Sequence, residues 1–110
     1  MGGQTNEARA LVETGFQVGL DADKAPGANE MLRYKHDYVL GFVVGRSISE
    51  SVQRASREAG AVVAGQLAAR YSLPMDRLLA ELEFTQELRE QVRNACEAKL
   101  RSVSKPDGCD

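Results

Sequence analysis

A short glycine motif that occurs twice constrains this chain more than any other feature of its sequence. Residues 15–19 (GFQVG) and 41–45 (GFVVG) both read Gly-Phe-x-x-Gly. Each copy lies where apolar residues recur every three to four positions, so its two glycines share one helix face beside an aromatic ring. Glycine inside a helix costs roughly 1 kcal/mol relative to alanine, and close helix packing would offset that cost. The predicted packing motif consists of Gly15, Phe16, Gly19, Tyr38, Gly41, Phe42 and Gly45.

The spacing of apolar residues along the whole chain predicts an all-α protein. Helices are predicted at about residues 6–21, 29–45, 47–71, 74–83 and 85–103, and no segment alternates as a strand would. A Pro26-Gly27 turn separates the first two, so we expect them to form an antiparallel hairpin. The predicted fold is a compact bundle of four to five helices with an N-terminal helical hairpin.

The boundary between the second and third predicted helices depends on residues 47–50, Ser-Ile-Ser-Glu. This segment has the form of a capping box, in which serine and glutamate side chains satisfy the first N–H groups of a helix. It favours a break after Gly45 and a new helix from Ser47. The apolar spacing also suits one helix that continues through this point, and Gly60 is a candidate kink further on.

Length and composition bound the rest of the organisation. The 110 residues fit one domain, predicted at 1–103, with a flexible tail at 104–110. No apolar run approaches the roughly eighteen residues of a membrane span, and the start of the chain lacks a secretory signal. We therefore expect a cytoplasmic protein without a membrane partner. In a reducing compartment, Cys96 and Cys109 would be free thiols.

Residues that could perform chemistry are few. His36 is the only histidine, and no second ligand stands at a metal-binding spacing, so we expect no metal and no cofactor. Tyr34, Tyr38 and Phe42 could line a small cleft beside His36, which would suit an enzyme or a small-ligand site. The simpler interpretation is that the two tyrosines pack at the contact between the first two predicted helices. The sequence therefore favours a protein that is not an enzyme.

A second interpretation concerns nucleic acid. Residues 65–79 have the apolar spacing of a helix-turn-helix, but their second helix carries one cation, Arg77, where a reading helix presents several polar groups. A structural helix corner is the simpler alternative. The net charge of −2 does not favour a polyanion as partner, although a local basic face would. The residues of such a face would be Arg46, Arg54, Arg57, Arg70 and Arg77.

The motif pair, with Asp37-Tyr38 before its second copy, resembles two small bacterial groups. One is an uncharacterised family of small all-helical proteobacterial proteins, to which residues 64–73 are also similar. That resemblance spans roughly residues 15–80 and implies no known activity. The other is ribosome modulation factor, which is similar only in the paired glycine motif and not in residues 64–73. It implies ribosome association, but that factor is strongly basic and this chain is acidic.

We therefore expect a non-enzymatic helical interaction module. Five short helices carry more apolar surface than a chain of this length easily buries, which favours a homodimer formed through the third and fifth predicted helices. The alternative is a regulatory protein that associates with nucleic acid or the ribosome.

Overall fold

The chain folds into an all-α bundle. A computed structural model describes residues 2–22, 25–82 and 84–104, and describes side chains from Glu7 to Arg101 within those ranges. This part contains no strand and has six helices, one more than the upper end of the predicted range. They are α1 (Gly2–Asp21), α2 (Ala28–Met31), α3 (His36–Arg54), α4 (Arg57–Tyr71), α5 (Met75–Glu81) and α6 (Gln86–Ser104).

Helix α3 lies at the centre of the bundle. It packs against α1, α4 and α5, while the far side of α4 packs against α6. Because neighbours surround it, all residues from Val39 to Gly45 are buried, and Val43 is fully so. This explains why the segment reads as a continuous apolar run and not as a stripe on one face.

The long central helix continues through the predicted break at Ser47. The Ser47 side chain is fully buried and donates to the Val43 carbonyl oxygen at 2.7 Å, so it caps nothing. The chain turns instead at Ala55, which adopts a left-handed conformation with φ 52°, and at Ser56, whose hydroxyl accepts from the Ala59 amide at 3.2 Å. The predicted boundary was therefore wrong by about two and a half turns. A serine within a helix can bond back to the preceding turn, which the capping-box pattern does not reveal.

The predicted second helix is divided into two. Helix α2 is a single turn that begins at Ala28, one residue before the predicted start, and residues 32–35 separate it from α3. Tyr71 at the end of α4 fixes this connection, because its hydroxyl donates to the Pro26 carbonyl oxygen at 2.7 Å. Gly60 lies in the first turn of α4, so it is not a kink within a longer helix.

Helices α1 and α3 run parallel, and the antiparallel arrangement predicted from the Pro-Gly turn is wrong. Gly15 faces the turn from Tyr38 to Phe42, and Gly19 faces the next turn toward the C-terminus of α3. Contacts therefore advance in the same direction along both helices. The connection, with α2 inside it, returns the chain along the bundle before α3 begins, as a parallel pair requires.

The other boundary predictions agree in outline. The bounds of the short helix α5 and of the long helix α6 lie within two residues of the predicted ranges. Residues 105–110, which hold Cys109 and most of the predicted tail, lie outside the described residues. Within the described ranges, no helix combines the length and apolarity of a membrane span.

Candidate functional site

The four motif glycines lie between α1 and α3, where each faces backbone of the other helix. A Cβ atom added at Gly15 would overlap the Tyr38 carbonyl oxygen, and one added at Gly41 would overlap the carbonyl oxygen of Val12. Gly19 and Gly45 meet the carbonyl oxygens of Phe42 and Phe16 in the same manner. The absent side chains thus allow the two backbones to touch, and Cα–H···O contacts become available between them.

The aromatic residues of the motif have three different environments. Phe42 is 2% exposed and belongs to the core. Tyr38 is half-buried and stacks on Tyr34 with ring centroids 4.6 Å apart. Phe16 is half-buried, packs on the core and also borders a groove. The motif therefore forms the α1–α3 contact, and its Phe16 also lines the groove.

That groove runs between α1, α3 and the end of α5, with a volume of about 420 Å³. Its apolar lining comes from Val12, Phe16, Val44, Ile48, Leu82 and Phe84. Charged residues of both signs, Arg9, Glu13 and Glu81, complete its lining. We call this feature the α1–α3–α5 groove. The parallel pairing creates it, since it sets Val12 and Phe16 of α1 beside the C-terminal half of α3.

An exposed apolar ridge adjoins the groove. Ile48 borders the groove and is 38% exposed, and Val52, one turn further along α3, is 74% exposed. The same half of α3 buries polar residues, since Ser47, Ser49 and Glu50 are all less than a tenth exposed. Apolar residues outside and polar residues inside reverse the usual pattern of a helix on a bundle surface. The ridge is the part of α3 that packing within the chain does not explain.

The helix faces that were predicted to form a dimer largely pack against each other within one chain. Gly65 of α4 lies so close to α6 that an added Cβ would overlap the Val92 carbonyl oxygen. Leu88 and Val92 are buried, and Cys96 is half-buried against the core. The apolar stripe of α6 therefore covers the alanine-rich face of α4. The surplus apolar surface lies instead mainly on α1, α3 and the α2–α3 connection.

Three of the five arginines proposed for nucleic-acid contact form ion pairs within the chain. Arg46 donates to the Ala22 carbonyl oxygen at 3.1 Å and pairs with Glu50 at 3.2 Å, and Arg54 pairs with the same carboxylate. Arg77 pairs with Asp37 at 2.7 Å. The two remaining sites are Arg57, exposed in the first turn of α4, and Arg70, exposed in its last turn. The structure does not bring the five together as one cationic face along a single helix.

The segment 65–79 forms a helix corner. Helix α4 ends at Tyr71, Ser72 turns the chain with φ 57°, and α5 starts at Met75. Serine occupies the left-handed position where glycine is usual. Leu78 and Leu79 of α5 are buried in the core, and its exposed residues include Asp76 and Glu81.

A smaller cavity of about 250 Å³ lies where the α2–α3 connection meets the end of α4. Tyr34, His36, Arg70 and Tyr71 are among its lining residues. The cleft expected beside His36 thus exists in part, but Tyr71 and Arg70 line it in place of Tyr38 and Phe42. A contact between residues more than thirty positions apart gives no signal in sequence spacing.

The surroundings of Tyr71 and Cys96 raise the pKa values of both side chains. Burial raises the pKa of the Tyr71 phenol, and the nearby Glu30 carboxylate raises it further, whereas Arg70 acts to lower it. Burial, and then the Glu97 carboxylate, raise the pKa of the Cys96 thiol. A raised pKa keeps a thiol protonated and poorly nucleophilic, so Cys96 is poorly suited to act as a nucleophile.

The amino-acid sequence matches the model of one protein family over most of its length. A family model described as "Protein of unknown function (DUF2623)" matches residues 10–98. The chain belongs to the DUF2623 family. The match agrees with the expected resemblance to an uncharacterised family and extends beyond the range of 15–80 on both sides. It includes both glycine motifs and most of the α1–α3–α5 groove of this DUF2623 protein. No curated protein and no solved structure shows significant similarity to it.

Proposed function

We propose that this DUF2623 protein is a non-enzymatic interaction module of the bacterial cytoplasm that forms a homodimer through the α1–α3–α5 groove. The observation that carries this proposal is the groove of about 420 Å³ with its six apolar lining residues, beside the exposed ridge of Ile48 and Val52. Apolar side chains make up six of its nine lining residues and supply contact area, so the groove suits binding of another protein surface.

The shape of this surface supports a second copy of the chain as the occupant. A two-fold symmetric interface must be complementary to itself, so a protruding element has to lie close to the recess that receives it. Here the ridge of α3 borders the groove directly. In a symmetric pair, Ile48 and Val52 of each copy would enter the groove of the other.

The charges of the groove support the same occupant. Arg9 lies among its lining residues together with Glu13 and Glu81. A two-fold axis can place an arginine of one copy beside a carboxylate of the other, and this pairing occurs twice in the dimer. A partner of a single charge sign would meet repulsion at part of the groove.

Sedimentation equilibrium of the wild-type chain and of two matched variants tests the proposal. Val52→Glu places a charge on the ridge, whereas Val18→Glu makes the same change at a half-exposed valine of α1 that does not line the groove. We expect the wild type and Val18→Glu to dimerise at micromolar concentrations and Val52→Glu to be monomeric. A wild-type chain that stays monomeric at several hundred micromolar contradicts the proposal, as does equal dissociation by both substitutions.

A further inference from the structure

The smaller cavity at the α2–α3 connection has a composition that differs from the groove. Its wall is apolar where Met31, Val39 and Leu73 contribute, and all three belong to the buried core. The lining also includes the polar and aromatic groups of Tyr34, His36, Arg70 and Tyr71, and none of its residues lines the groove. At about 250 Å³ it lies just below the roughly 300 Å³ at which small-molecule sites begin, so it suits one part of a ligand.

Tyr34 forms an aromatic platform at this cavity. Its ring stacks on Tyr38 with 4.6 Å between centroids and 21° between planes, yet Tyr34 is still 43% exposed. Tyr38 covers one face of the ring, and the exposed fraction of Tyr34 leaves room for a further contact. A planar aromatic ligand that stacks there would extend an existing stack, at little cost in side-chain entropy.

One cationic side chain lines the cavity, and two more lie next to Tyr34 in the sequence. Arg70 lines the cavity, its contact with the Pro26 carbonyl oxygen is long, 3.4 Å, and its guanidinium also acts on the neighbouring Tyr71 phenol. Arg33 and Lys35, both exposed, flank Tyr34 in the chain. Of the acidic residues here, Asp37 accepts from Arg77, and Glu30 lies close enough to Tyr71 to act on its pKa.

The connection is also anchored. The Tyr71 hydroxyl donates to the Pro26 carbonyl oxygen at 2.7 Å, which ties residues 25–35 to the end of α4. This bond connects the segment that carries Tyr34 to the helix end that carries Arg70, so both residues are positioned in the absence of a ligand. Such an arrangement reduces the cost of ordering the site on binding.

We propose that this cavity binds a nucleotide unit, with the base stacked on Tyr34 and the phosphate held by Arg70. An exposed aromatic ring with arginine and lysine beside it is the combination that single-stranded nucleic acids and nucleotides engage. The unit has two sources, a free mononucleotide or one residue of a single strand, and both present the same ring and phosphate. The site is independent of the groove and of the dimer.

Calorimetric titration of the full chain with four probes tests this inference. The probes are adenosine monophosphate, adenosine, inorganic phosphate and a six-nucleotide adenylate RNA, at low ionic strength because phosphate contacts weaken in salt. We expect the monophosphate to bind more tightly than adenosine or phosphate alone. Tighter binding of the RNA with a steep salt dependence assigns the site to a strand, and equal affinity assigns it to the free nucleotide.

Matched variants locate the binding. Arg70→Ala and Tyr34→Ala are expected to weaken it by about tenfold or more, as loss of a phosphate contact or a base stack does. Arg93→Ala, an equal loss of charge on the exposed face of α6, and Tyr34→Phe, which keeps the ring, should leave it unchanged. Circular dichroism confirms that each variant is folded. Failure of every probe to bind at millimolar concentration overturns the proposal, as does binding that Arg70→Ala and Tyr34→Ala leave intact.

Discussion

At the scale of single residues, the close α1–α3 contact depends on side chains that are absent. Each motif glycine faces a backbone carbonyl of the opposite helix, and backbone cannot move aside as a flexible side chain can. The sequence allowed this contact to be predicted, because two glycines four apart with an aromatic neighbour have few other uses inside a helix. It did not show which turn each glycine would face.

Gly41→Ala tests this contact. The added Cβ would overlap the backbone of Val12, so the two helices must separate, and we expect a loss of about 2–3 kcal/mol of unfolding free energy in urea titrations. Gly27→Ala is the control, since its φ is −70° and an added Cβ there meets nothing within 4 Å. A loss of similar size in both variants would show that helix separation is not the cause.

Glu50 is a buried charged residue whose ion pairs contribute to the stability of the fold. Its side chain is 9% exposed and lies between Arg46, 13% exposed, and Arg54, 68% exposed. The sequence assigned it to a helix cap, since a glutamate three residues after a serine gives the same pattern whether its neighbours are solvent or protein. Burial of this charge requires its partners to stay in place.

The two arginines are expected to differ in what their removal costs. Arg46→Ala leaves the buried carboxylate without its buried partner and also removes the bond to the Ala22 carbonyl, so we expect a loss of about 3 kcal/mol. Arg54→Ala removes an exposed partner and should cost at most about 1 kcal/mol. Urea unfolding measures both, and equal costs would contradict the assigned burial of the Arg46–Glu50 pair.

At the scale of elements, helix type was predictable and helix boundaries were less so. The period of apolar residues predicted α1, α5 and α6 within a few residues. The central helix was misjudged because the capping-box pattern assigned Ser47 and Glu50 to a helix start, whereas both are buried within a helix that exposes Ile48. The true break falls at Ala55, an alanine in the left-handed region that has no sequence signal.

Ala55→Gly tests this break. Residues with a Cβ pay roughly 1 kcal/mol in the left-handed region and glycine does not, so the substitution should stabilise the fold by about 0.5–1 kcal/mol. Ala59→Gly, in the first turn of α4, is the opposite control and should destabilise by up to about 1 kcal/mol. Thermal unfolding measures the sign of the stability change in both variants. Destabilisation by Ala55→Gly would contradict a helix end at Ala55.

At the scale of the whole molecule, the direction of the α1–α3 pair determines what the surface offers. A parallel pair sets Val12 and Phe16 beside Val44 and Ile48 and so forms the groove. An antiparallel pair with the same glycines in contact would bring different residues together. The sequence could not decide between them, because the Pro-Gly turn suits a tight hairpin and also suits the longer return connection that contains α2.

The direction of this pair is tested most directly by spin-label distances in a chain whose cysteines are replaced by serine. Labels at Ala10 and Lys35, and in a second sample at Ala10 and Gln53, all occupy exposed positions, and dilution with unlabelled protein removes distances between copies. With 1.5 Å per helical residue, the parallel pair predicts a short Ala10–Lys35 distance and an axial offset of roughly 24 Å between Ala10 and Gln53. A short Ala10–Gln53 distance and a long Ala10–Lys35 distance would contradict the parallel pair, and with it the groove and the proposed dimer.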